Sequence, residues 1–292
     1  MSPTIFQIAV LAVIQGAAEL LPVSSSAHVI VAEKIMGLDP SSPEMTFVLV
    51  TLHTGTMGAV ILYFWKSWRR SFFSSAPQFR GAVFRVALAT AASAAVAFPL
   101  KLAIERVLLR GQPNAEVEQI FSNLPLMAVS LAAAGALIVV SGLRSRSAAA
   151  PVEPGATQVS APNALWIGVV QGVCIPFRGF SRSGATISAG MLLGAPRRAA
   201  EEFSFALAVV ITPAFVLQES LRFYRARAAA PGPVDLAALA MPGLLGMACS
   251  FAAGLVALWW LSAWLQKGRW HYFGMYCLVA AACVGLLAGL GY

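Results

Sequence analysis

The sequence has little charge. Only 11% of its 292 residues are charged, while 59% are hydrophobic. A water-soluble domain carries about 25% charged residues, so there is too little polar surface here to cover a soluble globule. The mean hydropathy of +0.76 points the same way. Cysteine is scarce. Cys174, Cys249, Cys277 and Cys283 lie in apolar segments without metal-ligand spacing, which argues against a disulfide framework or a thiolate metal site. A basic n-region is missing from residues 1–14, so the first apolar run is expected to stay in the mature protein rather than act as a cleaved signal. No basic run is interleaved with aromatics, so the net charge of +8 does not signal nucleic acid. In a membrane protein such an excess reflects basic cytoplasmic loops and attraction to anionic head groups.

What the sequence does hold is apolar runs. Ten fall at about 3–20, 27–37, 45–65, 82–104, 120–142, 162–177, 184–195, 203–218, 236–265 and 272–291. Helix is expected throughout, because open strands leave backbone groups unpaired in lipid. A spanning helix needs roughly 20 residues. The second, sixth and seventh runs are too short, and the first carries Gln15 and Glu19 near its end. Short runs paired around a polar turn read as re-entrant hairpins, one from the first and second runs, one from the sixth and seventh. The expected fold is an all-α polytopic membrane protein with six transmembrane helices and two re-entrant helical hairpins. Residues 144–161, rich in Ser, Ala and Pro, are the one loop-like linker.

The two hairpins resemble each other. The first reads Gln15-Gly16, then Pro22-Val23-Ser24-Ser25-Ser26-Ala27, then Met36-Gly37; the second reads Gln171-Gly172, then Gly179-Phe180-Ser181-Arg182-Ser183-Gly184, then Leu193-Gly194. The offset is 156 at the glutamines and 157 at Ser24/Ser181 and Gly37/Gly194. This predicts an internal repeat within a single membrane domain, with halves 1–143 and 162–292. Each half has three spans, an odd number, so the second half enters the bilayer from the opposite face: an inverted-topology repeat, with its site at the repeat interface. The stretch 66–85 holds Lys66, Arg69, Arg70, Arg80 and Arg85 and no acid, which places it in the cytoplasm and both termini outside. Arg222, Arg225 and Arg227 then fall outside, against the rule.

Ionisable groups inside apolar runs cost about 2.5–3.5 kcal/mol on insertion scales, so they face a cavity or a partner. Glu19, His28 and Arg182 are such groups. Three hydroxyls, Ser24, Ser25 and Ser26, precede His28. A helix ending near Leu21 and another starting near Ser26 would point these hydroxyls and free backbone N–H groups into one turn, an anion site. In the second hairpin Gly179 and Gly184 permit close backbone approach, and Arg182 offers a planar fork for phosphate oxygens. Together these groups suit phosphoryl transfer. Glu19 and Gln15, one helical turn apart, could share a divalent cation with the phosphates.

At these residues the sequence resembles the undecaprenyl pyrophosphate phosphatase family of the bacitracin-resistance type. The resemblance rests on Gln15-Gly16-Ala17-Ala18-Glu19, on Pro22-Val23-Ser24-Ser25-Ser26-Ala27-His28, on Arg178-Gly179-Phe180-Ser181-Arg182-Ser183-Gly184-Ala185-Thr186 and on Glu202-Phe203-Ser204-Phe205. It covers nearly the whole chain. It implies an enzyme of the bacterial inner membrane that removes one phosphate from the C55 isoprenoid pyrophosphate carrier of envelope synthesis. It also implies an active site open to the periplasmic side and a divalent cation, Mg²⁺ or Ca²⁺. Glu19, Ser25, His28 and Arg182 match its essential residues. Gln15 and Glu19 match its cation motif, and Glu202 a further carboxylate. Three departures stand out: Gln15 is uncharged, Ala27 replaces a usual Gly, and Arg178 replaces a usual Pro.

The resulting scheme has Ser25 as nucleophile or phosphate hydrogen-bonder and His28 as its acid/base partner. Arg182 and the N–H groups of 181–184 hold the pyrophosphate, with Ser24, Ser26, Arg178, Gly179, Ser181, Ser183, Gly184 and Thr186 around it. His53, in the third run, either packs or lines the site. His271 and Trp270 are expected at the membrane interface, as are Trp259, Trp260 and Trp264. The expected partners are the isoprenoid pyrophosphate lipid, membrane lipid and a second copy of the chain, with no nucleic acid. The alternative function is a secondary transporter or flippase for the lipid carrier, since inverted repeats with broken helices mark that class too. The hydroxyl cluster beside Glu19 and His28 favours chemistry over transport.

Overall fold

The computed structural model describes residues 3–39, 42–107, 123–147, 158–228 and 236–290. These form ten helices and no strand: α1 (Ile5–Leu20), α2 (Ser25–Ile35), α3 (Pro43–Ser71), α4 (Ala76–Val107), α5 (Leu124–Ser147), α6 (Ala161–Cys174), α7 (Arg182–Leu192), α8 (Arg197–Ala228), α9 (Leu236–Gln266) and α10 (Trp270–Gly289). Six of them, α3, α4, α5, α8, α9 and α10, are long and apolar enough to cross a bilayer. The chain is a multi-pass membrane protein. The four shorter helices are α1, α2, α6 and α7, at the positions of the short apolar runs. The loop-like stretch is narrower than expected: Arg144–Ser147 extends α5, and α6 begins at Ala161. Residues 148–157 lie outside the described residues, as do 108–122.

Local sequence sets these boundaries. Thr4 starts α1 with a capping box, its hydroxyl accepting from Gln7 N–H while the Gln7 carbonyl oxygen accepts from Thr4 N–H at 2.8 Å. Pro22 ends α1, because the residue before a proline is pushed out of the helical region; Leu21 is extended at φ −71°, ψ 151°. Ser160 caps α6 and Ser181 caps α7 through their hydroxyls. α2 and α7 both end in a left-handed glycine, Gly37 at φ 67° and Gly194 at φ 83°.

Packing follows the same pattern twice across the chain, a short helix from one half crossing a long helix from the other. α1 packs on α9, and α6 packs on α4. A Cβ on Gly16 of α1 would lie 2.5 Å from Ser250 O of α9, and one on Gly172 of α6 would lie 2.6 Å from Ser93 O of α4. Small residues of this kind let membrane helices approach backbone to backbone. Ser250 follows Ser93 by 157 residues, the spacing of Ser24 and Ser181. α5 and α10 pack on each other, with Gly135 and Gly274 at the contact.

The surroundings of the short helices differ. α2 packs mainly on α1, while α7 packs on α5, α6 and α8. Residues Ser183–Met191 of α7 are all buried. Two interfacial expectations are corrected here. Trp270 is 1% exposed and donates its indole N–H to Ser188 Oγ at 3.0 Å, so it is a core residue satisfied within the protein. His271 is also buried, against Gly142 of α5. Trp259 and Trp260 remain exposed, as belt residues are.

Candidate active site

The break at Pro22 brings the end of α1 and the start of α2 side by side. Ser25, the first residue of α2, donates its hydroxyl to Glu19 Oε2 at 2.5 Å. The other carboxylate oxygen, Oε1, accepts from Arg182 Nη2 at 2.9 Å. One acid on α1 is thus held between a hydroxyl on α2 and a guanidinium on α7. Both charged side chains are only partly exposed, 17% for Glu19 and 24% for Arg182. A charge-assisted bond in such surroundings is stronger than its surface counterpart. The Gln15 amide nitrogen donates to Glu19 Oε2 at 3.4 Å and to His53 Nδ1 at 3.1 Å. His53 therefore lines the site as well as packing, its ring edge-on to Phe215.

The turn between α1 and α2 is strained. Ser24 has φ 67°, the one positive φ at a non-glycine residue among the described residues. Its carbonyl accepts from His28 Nδ1 at 2.8 Å. His28 Nε2 meets the Tyr276 hydroxyl at 2.7 Å, and the two rings stack. The expected pairing of Ser25 with His28 is not what the structure shows. Ser25 turns to Glu19, and His28 turns to Ser24 and Tyr276. Ser26 Oγ pairs with Ser24 Oγ at 3.3 Å and accepts from Gly179 N–H at 3.4 Å, which joins the two short helix pairs.

The second pair mostly binds itself and its neighbours. Ser181 Oγ accepts from Gly184 N–H at 3.2 Å, Ser183 Oγ donates to Leu21 O at 3.4 Å, and Thr186 Oγ1 donates to Arg182 O at 2.8 Å and lies 2.6 Å from Ser204 Oγ. The N–H of Gly184, expected to hold phosphate, is already used by this cap. Gly184 instead allows a close approach: a Cβ there would lie 2.6 Å from Ile138 Cδ1 and 3.2 Å from Pro22 Cβ. Gly179, at φ 97°, brings its backbone against Met127 O.

Two further expected residues stand apart from the Glu19 cluster. Glu202 accepts from Arg198 at 2.8 Å and from the hydroxyls of Ser67 and Ser71. Glu202 thus braces α8 against α3. Arg178 is half-buried and lies within electrostatic reach of Glu33 and His53. The sequence reading missed Tyr276, Glu33 and Glu201. Glu33 is buried, and its Oε1 has no hydrogen-bond partner among the described residues. Glu201, also buried, accepts from the Ser262 hydroxyl. Both are carboxylates in or beside apolar runs, the signal that singled out Glu19. Tyr276 sits in the last apolar run with no local signal.

Among the described residues no three His, Cys, Asp or Glu side chains form a metal cage. The oxygens at Glu19 are its own carboxylate and the Ser25 hydroxyl, Gln15 facing it with the amide nitrogen, and both carboxylate oxygens are already engaged. Such a set fits a hard cation that takes most of its ligands from water and phosphate, as Mg²⁺ does, rather than a closed protein site. A cleft leads away from Glu19 and Arg182 between α3 and α8, lined by Leu20, Thr56, Met57, Val60, Ala208, Val209 and Thr212.

The sequence profile of the bacitracin resistance protein BacA family matches residues 8–283. This chain belongs to the BacA family. Among relatives, undecaprenyl-diphosphatase 2 of Acinetobacter baylyi is 53% identical over 281 residues, covering 96% of both chains. The undecaprenyl-diphosphatase of Desulfosudis oleivorans is 34% identical over 92% of this chain and 93% of its own length. That of Desulfatibacillum aliphaticivorans is 33% identical over 95% and 96%. The BacA match runs from the first turns of α1 into α10 and so reaches both short helix pairs and every long helix, the last only in part.

Proposed function

We propose that this BacA-family chain is an undecaprenyl-diphosphatase, a hydrolase that converts the C55 isoprenoid pyrophosphate to the monophosphate and inorganic phosphate and so recycles the lipid carrier for cell-wall synthesis. The observation that carries this reading is the junction of Ser25, Glu19 and Arg182, drawn from both halves of the chain into one partly wet pocket. The architecture behind it is an inverted repeat whose two short helix pairs are re-entrant. Its support is the matched crossings Gly16–Ser250 and Gly172–Ser93 and the matched left-handed stops Gly37 and Gly194. The membrane is the bacterial inner membrane, and the pocket opens toward the periplasm.

Arg182 holds the phosphate charge, aided by the pocket hydroxyls of Ser24 and Ser26. Glu19 takes the Ser25 proton along their existing hydrogen bond as Ser25 Oγ attacks the terminal phosphorus. The new P–O bond forms as the bridging P–O bond breaks, and the carrier monophosphate leaves. Water then attacks the phosphoserine, and His28 is the base that takes up the proton released. The Ser25–P bond breaks, Glu19 returns the serine proton, and phosphate departs. Glu19, with Gln15 beside it, would hold a Mg²⁺ or Ca²⁺ ion alongside the phosphates. Such an ion, when bound, neutralises phosphate charge.

The deciding measurement is phosphate release from C55 or C15 isoprenoid pyrophosphate by purified protein, with Mg²⁺ or Ca²⁺ and after EDTA. Release that needs the pyrophosphate and disappears in Ser25→Ala is the expected result. No release under any condition would sink the reading in favour of carrier transport.

A further inference from the structure

An imidazole can act as a base only if one nitrogen keeps its lone pair and that lone pair is aimed. The χ2 torsion of histidine is broad, so aim must come from neighbours. His28 lies on α2, one turn after Ser24. The Ser24 backbone, held at a positive φ that a residue with a side chain rarely adopts, presents its carbonyl to His28 Nδ1 at 2.8 Å. A carbonyl only accepts, so Nδ1 carries the proton and Nε2 holds the lone pair. At Nε2 stands the Tyr276 hydroxyl, at 2.7 Å, and it must therefore donate. The rings also stack, with centroids 5.7 Å apart and planes at 13°.

Tyr276 comes from α10, 248 residues away. The contact of α10 with α5 runs through Gly274 and Cys277, which face Gly135. Tyr276 itself is 48% exposed. Its hydroxyl is thus spent on one aimed hydrogen bond in the pocket, while the packing of α10 rests on other residues.

We propose that Tyr276 links His28 to the reacting water: its ring stack fixes the imidazole, and its hydroxyl, donating to Nε2, takes up the water proton as it passes its own to Nε2. The proposal rests on the reading of His28 as the acid/base group. It assigns to the last helix a part in a site otherwise built from the two short helix pairs.

The test is Tyr276→Phe, which keeps the ring stack and removes the hydroxyl. We expect kcat for C15 isoprenoid pyrophosphate to fall about 10- to 100-fold, within the range of general acid–base effects, with KM and Tm little changed. Tyr276→Ala falls further, because the stack goes too. The chain has three histidines, so a histidine-selective ¹⁵N spectrum of the purified protein reads each ring. In Tyr276→Phe the His28 resonances shift while those of His53 and His271 stay. Unmoved His28 resonances overturn the proposal whatever kcat does, and so does full kcat in the Phe variant. Normal turnover in His28→Ala would instead remove the acid/base reading of His28, a failure distinct from that of Tyr276.

Discussion

The two short helix pairs share a plan and divide the work. Gln15 and Gln171 stand at like places before the break. Gln171 is fully buried and donates to Ser93 Oγ at 3.0 Å, binding α6 to α4. Gln15 donates to Glu19 and His53 in the pocket. At the start of the second helix of each pair, Ser181 spends its hydroxyl on a cap, while Ser24 makes no cap bond and holds a strained turn instead. One residue later come Ser25 and Arg182, the hydroxyl and the cation that grip Glu19 from either side. The buried α7 is a rigid platform for one guanidinium. The more open α2 carries the Ser25 hydroxyl and the His28 imidazole. The two pairs share a frame, and burial separates the one that keeps its polar groups for itself from the one that turns them toward Glu19.

Six substitutions would break or sharpen this contrast. The largest effect is expected from Ser25→Ala, a loss of about 10⁴- to 10⁶-fold in kcat if Ser25 is the nucleophile; a near-normal rate would remove it from that role. Arg182→Ala should lower kcat/KM by about 10²- to 10³-fold, the scale of one charge-stabilising group. A loss below tenfold would mean that the platform contributes no chemistry. Gly16→Val and Gly172→Val should destabilise alike, by about 1–3 kcal/mol from overpacking, read as a fall in Tm in detergent. Tolerance of one but not the other would show the crossings to be inequivalent. The smallest effects concern the caps. Ser181→Ala should cost about 1 kcal/mol as a lost cap with little change in kcat. Ser24→Gly should raise stability slightly, because the backbone strain relieved, about 1–3 kcal/mol, exceeds the entropy that glycine adds to the unfolded chain, about 0.4–1 kcal/mol. A loss of stability in Ser24→Gly would mean that the turn is not strained.

Much of this was legible in the chain because the bilayer imposes strong rules. Apolar length found the six long helices, the polar turn after Leu21 marked the break between α1 and α2, and the cost of buried charge pointed to Glu19 and Arg182 as groups that face a cavity or a partner. The rest depended on what each side chain meets from another helix. Ser25 and His28 stand three apart at a helix start and look like a pair, yet Glu19 claims one and Tyr276 the other. Trp270 reads as a belt residue by composition, but Ser188 of α7 lies within reach of its indole N–H. Thr186 and Glu202 belong to motifs full of polar residues, and both serve helix packing through Ser204 and through Ser67 and Arg198. A sequence motif marks a polar neighbourhood and leaves open which members face the cavity.

The pairing of Glu19 with Arg182 has a consequence for synthesis. The carboxylate leaves the ribosome 163 residues before the guanidinium that neutralises it. Until then Glu19 has only neighbours from its own end of the chain, so the first helix pair cannot reach its final pairing before the start of α7 has been made.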